Sequence, residues 1–250
     1  MTSKNFKKLV LAGCFLLLIA SLSFAQGYMF NKAAPSGPDV TTTSSEFTDI
    51  PDLSLNFFQY FPSHIVITMS AEAEVSAGKR MFVRALVDGK PTASPSDVIL
   101  ANDGFTGTHS FTFAANVDGG IHQVKMQYLV DGGGTAYLGD RTITVITAPE
   151  FVNTVAAPSG PDVSTTSSSF VDIPNLSYNI NSPDHGDAII TITGEAETTN
   201  NKRMFVRALI DGQPCEPSDV VFAVGGFKGT HIFTFVKKNL SAGSHSVKVQ

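Results

Sequence analysis

The stretch H-I-V-I-T-M-S-A-E-A-E, residues 64–74, decides the fold class of this chain. Apolar and polar side chains alternate along it, which places one set on the buried face of a β-strand and the other on its exposed face. A similar alternation returns as D-A-I-I-T-I-T-G-E-A-E at residues 187–197. No stretch after residue 25 shows a convincing 3.6-residue apolar stripe. The sequence therefore predicts an all-β protein.

This recurrence belongs to a larger internal repeat. Residues 34–127 return as residues 157–250, and the start of each copy lies in an identical A-A-P-S-G-P-D-V, at residues 33–40 and 156–163. A repeat of this length is a whole domain rather than a solenoid unit. We predict two tandem antiparallel β-sandwich domains of jelly-roll type, at residues 26–147 (repeat one) and residues 157–250 (repeat two), with a short linker at residues 148–156.

Repeat two has no counterpart of the last hairpin of repeat one, residues 128–145. We therefore expect repeat two to be incomplete and to expose unpaired strand edges and part of its core. The same observation predicts that the printed sequence is a fragment of a longer array. Asp-Gly pairs such as Asp88-Gly89 and Asp131-Gly132 mark turns between the strands.

The first 25 residues predict export. Lys4, Lys7 and Lys8 precede an apolar run at residues 9–20, and small residues end at Ala25, which is the order of a cleaved secretory signal peptide. An alternative is lipidation at Cys14, whose preceding residues resemble a lipobox. Too few apolar residues precede that cysteine for a signal peptide of ordinary length, so cleavage after Ala25 is the favoured interpretation.

The net charge limits the classes of binding partner, and the cysteine count limits disulfide formation. Removal of residues 1–25 takes away three lysines and no acid, so the formal charge changes from -5 to -8. An acidic chain repels nucleic acid and anionic lipid surfaces, so we expect no nucleic-acid partner and no membrane insertion after cleavage. Cys215 is then the single cysteine, which excludes an internal disulfide.

One octapeptide, K-R-M-F-V-R-A-L, is identical at residues 79–86 and 202–209. Its outward-facing positions mix arginine and phenylalanine, residue types enriched at buried contact centres. The alternative is local: a hairpin through residues 75–79 would pair Glu72 and Glu74 with the arginines across the strands. The candidate interface residues are Arg80, Phe82, Arg84, Arg203, Phe205 and Arg207.

Metal sites find little support in the sequence. His109 and His122 would lie about 13 Å apart along a predicted hairpin, too far for two ligands of one zinc ion. Such histidines are better explained by hydrogen bonds to neighbours. The sequence predicts no cofactor, although calcium remains an alternative because several aspartates lie in predicted loops.

Three motifs carry a resemblance to known proteins: F-x-D-I-P at residues 47–51, F-V-R-A-L-x-D-G at residues 82–89 and G-T-H-x-F-T-F at residues 107–113. With them, most of each copy resembles the β-sandwich repeats of secreted bacterial proteins and, more distantly, C1q/TNF-type jelly rolls. The latter likeness implies oligomeric recognition heads. It implies no particular binding residue.

The sequence contains no nucleophile elbow, zinc-protease motif or phosphate-binding glycine loop, so we predict that the chain is not an enzyme. The favoured function is an exported structural or adhesion-type interaction module, secreted or held at the cell surface or in the periplasm, with a protein or glycan partner. The alternatives are a carbohydrate-binding module and accessory domains of a larger secreted enzyme truncated at residue 250. Against glycan binding, the chain has no Trp and its Phe residues are predicted to lie mostly in the core.

Overall fold

The computed structural model describes residues 28–34, 37–93, 95–104, 106–147, 154–157, 161–226 and 228–250. The predicted signal peptide, Cys14 and most of the predicted linker lie outside these residues. The described part of the chain contains no helix that is long and apolar enough to cross a bilayer. It is all-β, as the sequence predicts.

The described residues of repeat one form ten strands. They are β1 Tyr28–Ala33, β2 Val40–Thr42, β3 Thr48–Gln59, β4 Ser63–Val75, β5 Arg80–Val87, β6 Lys90–Pro91, β7 Val98–Asn102, β8 Gly107–Val117, β9 Gly120–Val130 and β10 Ala136–Thr147. One antiparallel sheet has the order β1-β10-β4-β8, with β2 also paired to β10. The other has the order β3-β9-β5-β6, with β7 also paired to β5.

The two sheets enclose one hydrophobic core. The alternation predicted for residues 64–74 is confirmed, because Ile65, Ile67 and Met69 of β4 are fully buried while the residues between them are partly exposed. Met81, Val83 and Ala85 of β5 reach the same core from the opposite sheet. The core therefore lies between two faces that each alternate with a period of two, as in a β-sandwich.

The structure corrects one local prediction. We expected β4 and β5 to form a hairpin that pairs Glu72 and Glu74 with Arg80 and Arg84, but the two strands belong to different sheets. At residues 76–79 the chain passes from one sheet to the other instead of folding back within the same sheet. Glu74 accepts a hydrogen bond from Thr106 at 2.6 Å. The predicted cross-strand ion pairs are thus wrong.

In the part of repeat two that the structure describes there are eight strands. They are β11 Ser177–Ser182, β12 Gly186–Ala196, β13 Arg203–Val206, β14 Ala208–Ile210, β15 Gln213–Pro214, β16 Val220–Val224, β17 Gly229–Leu240 and β18 Gly243–Val249. Among the described residues β12 pairs with β17 alone, whereas its counterpart β4 in repeat one pairs with both β8 and β10. Ile189, on the outward face of β12, is 73% exposed. The expected open edge of repeat two is confirmed for this part of the chain.

The repeats share their turn chemistry. Asp88 and Gly89 have φ of 51° and 78°, and Asp211 and Gly212 have φ of 51° and 75°. A type I′ hairpin turn has both central residues in the left-handed region, and Asp-Gly is a favoured pair at these positions. The turn predicted at Asp88-Gly89 is confirmed. The Asp88 side chain contacts His122, as described below.

Candidate functional site

On the outward face of repeat one, Arg84 belongs to a row of interacting side chains that we call the arginine ladder. Its members are Phe47, Arg84, Gln127, Asp49 and Lys125. The Arg84 guanidinium lies over the Phe47 ring, 4.1 Å from its centroid, and its Nε donates to Gln127 at 2.8 Å. Gln127 donates to Asp49 at 2.7 Å, and Lys125 donates to the other oxygen of the same carboxylate at 2.8 Å. These hydrogen bonds lower the pKa of Asp49.

Repeat two builds the same ladder from Phe170, Arg207, Gln250, Asp172 and Lys248. Arg207 lies 4.1 Å from the Phe170 centroid and its Nε donates to Gln250 at 2.8 Å. Identical geometry in both copies indicates that these groups first satisfy one another. The ladder therefore stabilises the outward face of the sheet, and a role in contacting a partner stays a prediction.

The remaining candidate residues lie nearer the start of the same octapeptides. Arg80 donates through Nε to Asp131 at 2.6 Å and lies 5.2 Å from the Phe82 centroid. Arg203 lies 5.4 Å from the centroid of Phe205, which is partly exposed. The structure thus places the arginines beside phenylalanines and gives them local partners that the sequence did not identify, and their role as an interface stays a prediction.

Four exposed apolar side chains form a different surface at one end of repeat one, which we call the aromatic end. Phe58 at the end of β3 is the register partner of Ile121 at the start of β9. The Phe58 and Tyr60 rings meet edge to face at 4.8 Å between centroids. The exposed fractions are 47% for Phe58, 64% for Tyr60, 50% for Phe61 and 80% for Ile121.

Repeat two has polar or small residues at these places. The positions equivalent to Phe58, Tyr60, Phe61 and Ile121 hold Asn181, Pro183, Asp184 and Ser244. The backbone register is unchanged, since Asn181 is the partner of Ser244 just as Phe58 is the partner of Ile121. The strand pair therefore forms without the apolar side chains. Sequence reasoning missed this surface by assigning the phenylalanines to the core, although alignment of the two copies would have revealed it.

Two residues support the aromatic end from below. Gly119, in the β8–β9 turn, approaches the loop so closely that a Cβ there would lie 2.8 Å from the Tyr60 carbonyl oxygen. His122 contacts Phe57 with ring centroids 5.6 Å apart, and it bonds the Asp88 carboxylate at 2.7 Å and the Asp118 carbonyl at 2.9 Å. The turn and the loop are thus fixed against each other.

The bonding of His122 defines its charge. Carboxylate and carbonyl oxygens only accept hydrogen bonds, so both ring nitrogens must donate, which requires the imidazolium. Burial lowers the pKa of His122, but the bonds to Asp88 and to the Asp118 carbonyl outweigh it, so the pKa lies above its ordinary value. His245 repeats this arrangement with Asp211 at 2.7 Å and the Ser241 carbonyl at 2.9 Å. The hydrogen bonding predicted for His122 is thus confirmed, whereas the buried Nε2 of His109 has no hydrogen-bond partner among the described residues.

An amide pair continues the outward row from the aromatic end. Asn56 lies two residues before Phe58, and Gln123 lies two residues after Ile121, so all four side chains share one face. Gln123 Nε2 donates to Asn56 Oδ1 at 3.1 Å. One bond between two amides leaves one NH₂ group and one carbonyl oxygen facing solvent, whichever way the amides are oriented. The Lys125–Asp49 pair lies next along the row.

Two further histidines, His109 and His231, occupy equivalent positions in the two repeats. They lie between the repeats, where β17 packs beside β7 and β8. Thr230 donates to the Leu100 carbonyl at 3.3 Å across this contact. Burial lowers the pKa of His109, with a contribution from nearby His231, and burial also lowers the pKa of His231. Both are therefore neutral near pH 7. The sequence did not indicate that these equivalent residues come together.

No group of three or more His, Cys, Asp or Glu side chains in the described ranges is arranged to hold a metal ion. Cys215 is buried, and burial raises the pKa of its thiol, which makes it a poor nucleophile in the folded state.

No family model and no curated protein matches the chain. Solved structures that are similar include dimeric latent PorU from Porphyromonas gingivalis, at 10% identity over 90% of this chain and 20% of that one, with a TM-score of 0.32. A structure of PNGF-II has 10% identity over 89% of this chain and 61% of its own, with a TM-score of 0.31. The chain therefore spans about a fifth and about three fifths of these two proteins.

Another similar structure is the tandem CBM22-1–CBM22-2 domain of Xyn10C from Paenibacillus barcinonensis, at 9% identity over 90% of this chain and 84% of that one, with a TM-score of 0.27. These neighbours include carbohydrate-binding modules and domains of carbohydrate-active enzymes. The likeness to C1q/TNF-type jelly rolls stays a prediction.

Proposed function

We propose that this chain is an exported, non-enzymatic interaction module and that the aromatic end of repeat one is its recognition surface. One observation carries the proposal: Phe58 and Ile121 are exposed as register partners where repeat two has Asn181 and Ser244. The fold needs neither apolar side chain, since repeat two pairs the same strands without them. Exposed apolar clusters of this kind mark interaction sites.

Comparison of the two repeats distinguishes side chains that hold the sheets together from side chains that are available to a partner. The arginine ladder and the aspartate–histidine pairs occur in both repeats with nearly equal distances, which fits a role in holding the sheets together. The aromatic end occurs in repeat one only. A feature that one copy keeps and the other replaces is free of the demands of the fold, so we assign it to function.

Export is supported by the lysines, apolar run and small residues of positions 4–25, and the non-enzymatic role by the lack of catalytic motifs in the sequence. The adhesion-type and structural interpretations both require a surface that binds. The aromatic end supplies that surface for either of them.

The test is a swap that gives repeat one the residues of repeat two. Protein labelled at its amino terminus would be incubated with insoluble cellulose, xylan, mannan and chitin and with immobilised collagen and fibrinogen. We expect at least one surface to retain the protein and the F58N/I121S variant to lose at least about tenfold of that retention. The exposure of both side chains predicts a change in unfolding free energy below about 1 kcal/mol.

The matched control is I189S, which removes a similarly exposed isoleucine from β12 of repeat two and should leave retention unchanged. Equal retention of wild type and F58N/I121S on every surface would refute the proposal. Failure of the wild type to bind any of the six surfaces would count against it as well.

A further inference from the structure

We propose that the ligand of the aromatic end is a neutral oligosaccharide, held by the rings of Phe58 and Tyr60 together with the amide pair Asn56–Gln123. This inference rests on the proposed function, because it names the ligand class of the same surface. It follows from the size of the surface, from its hydrogen-bonding groups and from its charge.

Size argues against a protein partner. A fully buried aromatic side chain covers about 150–250 Å², so the exposed portions of Phe58, Tyr60 and Phe61 together offer on the order of 300 Å². A stable protein interface buries about 800 Å² on each side. The three rings supply less than half of this, whereas a short sugar chain needs only a ring to stack on and a few hydrogen-bonding groups beside it.

The amide pair supplies those groups. A sugar hydroxyl both donates and accepts, and the Asn56–Gln123 pair presents one outward amide NH₂ and one outward carbonyl oxygen. Asn56 lies two residues from Phe58 on the same face, a distance of about 6.6 Å along the strand. One sugar unit stacked on the rings would therefore place the next unit over the amides.

Charge favours a neutral sugar. Lys125, two residues after Gln123 on the same face, is already paired with Asp49 at 2.8 Å. On the other side lie the carboxylates of Asp88, which is bonded to His122, and Asp118. A uronic acid or phosphate would meet the carboxylates of Asp88 and Asp49 on the two sides of the amides and a lysine that is already paired, and the net charge of -8 expected for the exported chain would repel it.

Isothermal titration tests the inference with soluble cello-, xylo-, manno- and chito-oligosaccharides and with oligogalacturonate as the charged comparison. We expect one neutral series to bind, with affinity lowered at least about tenfold in F58N/I121S and at least about fivefold in N56A/Q123A. N179A/S246A, at the equivalent places of repeat two, is the matched control and should bind as the wild type does.

The outcomes separate the two proposals. If F58N/I121S reduces retention on collagen or fibrinogen while no neutral sugar binds, the proposed function stands and the glycan inference is wrong. Preference for oligogalacturonate, or neutral-sugar binding that N56A/Q123A leaves unchanged, also overturns the inference. If no probe distinguishes F58N/I121S from the wild type, both proposals fail.

Discussion

Removal of one carboxylate should move the titration of one histidine and leave its twin unchanged. In the Asp88→Asn variant the acceptor of His122 Nδ1 loses its charge, so the pKa of His122 should fall, while His245 keeps Asp211 and titrates as before. Asp211→Asn should give the reverse result. Asparagine tolerates the left-handed backbone that Asp88 adopts at φ 51°, so the turn itself survives the change.

The magnitude follows from exposure. The Asp88 side chain is 48% exposed, which makes its ion pair with His122 worth about 0.2–1 kcal/mol. His122→Phe should cost more, about 1–3 kcal/mol, because the Asp118 carbonyl then loses its donor beneath the turn. Chemical denaturation of each variant measures these differences at a fixed pH.

The sign of the pH dependence is defined by the direction of each pKa shift. A raised pKa means that His122 and His245 stabilise the fold fully below about pH 6.5 and lose this contribution as the pH rises through the raised pKa. The lowered pKa values of His109 and His231 act at the acid end, where stability falls as the pH drops from about 6.5 through those values.

NMR titration of the histidine Cε1–H signals tests the reasoning directly. His122 and His245 should titrate above their unfolded values, and His109 and His231 below theirs. A value for His122 at or below that of an unfolded histidine would refute the imidazolium assignment. Failure of Asp88→Asn to shift His122 would refute the assigned cause.

Three further predictions concern separate parts of the chain. Gly119→Ala should displace the Tyr60 loop and weaken retention on the surfaces that bind the wild type, with little change in melting temperature; unchanged retention would show that the loop position is unimportant. Arg84→Ala should lower the free energy of unfolding by about 1–2 kcal/mol, since it removes the stacking on Phe47 and one hydrogen bond; loss of binding without loss of stability would instead support the interface role. Cys215 should react with a thiol reagent only on unfolding, and rapid modification of the native protein would contradict its burial.

Strands and turns could be predicted from the sequence because each depends on neighbours along the chain. The alternation around Ile67 and the Asp88-Gly89 turn are both local signals, and the structure confirms both. The β4–β5 connection could not be predicted in this way. A short turn at residues 76–79 is compatible with a hairpin and with a crossing between sheets, and only the packing of the whole core distinguishes them.

The aromatic end shows a second limit of local reasoning. In F-F-Q-Y-F, residues 57–61, apolar side chains occupy both alternating sets, so the pattern cannot tell the buried Phe57 from the exposed Phe58. The pairing with β9 settles it, because His122 lies opposite Phe57 on the inner face and Ile121 lies opposite Phe58 on the outer face. Which of two aromatic neighbours is available to a ligand was therefore decided by a partner strand more than sixty residues away.

The internal repeat is what turns that exposure into an argument about function. A single exposed phenylalanine is ordinary on a protein surface, since apolar atoms make up much of any surface. Here the second copy provides the comparison, with the same strand register, the same aspartate–histidine pair beneath it and Asn181 in place of Phe58. Because the shared scaffold folds with either residue, the cost of exposing Phe58 and Ile121 is not imposed by the fold. Under the proposed function this cost is offset by what these side chains bind, so the reciprocal graft, N181F/S244I in repeat two, should add binding where the F58N/I121S variant removes it.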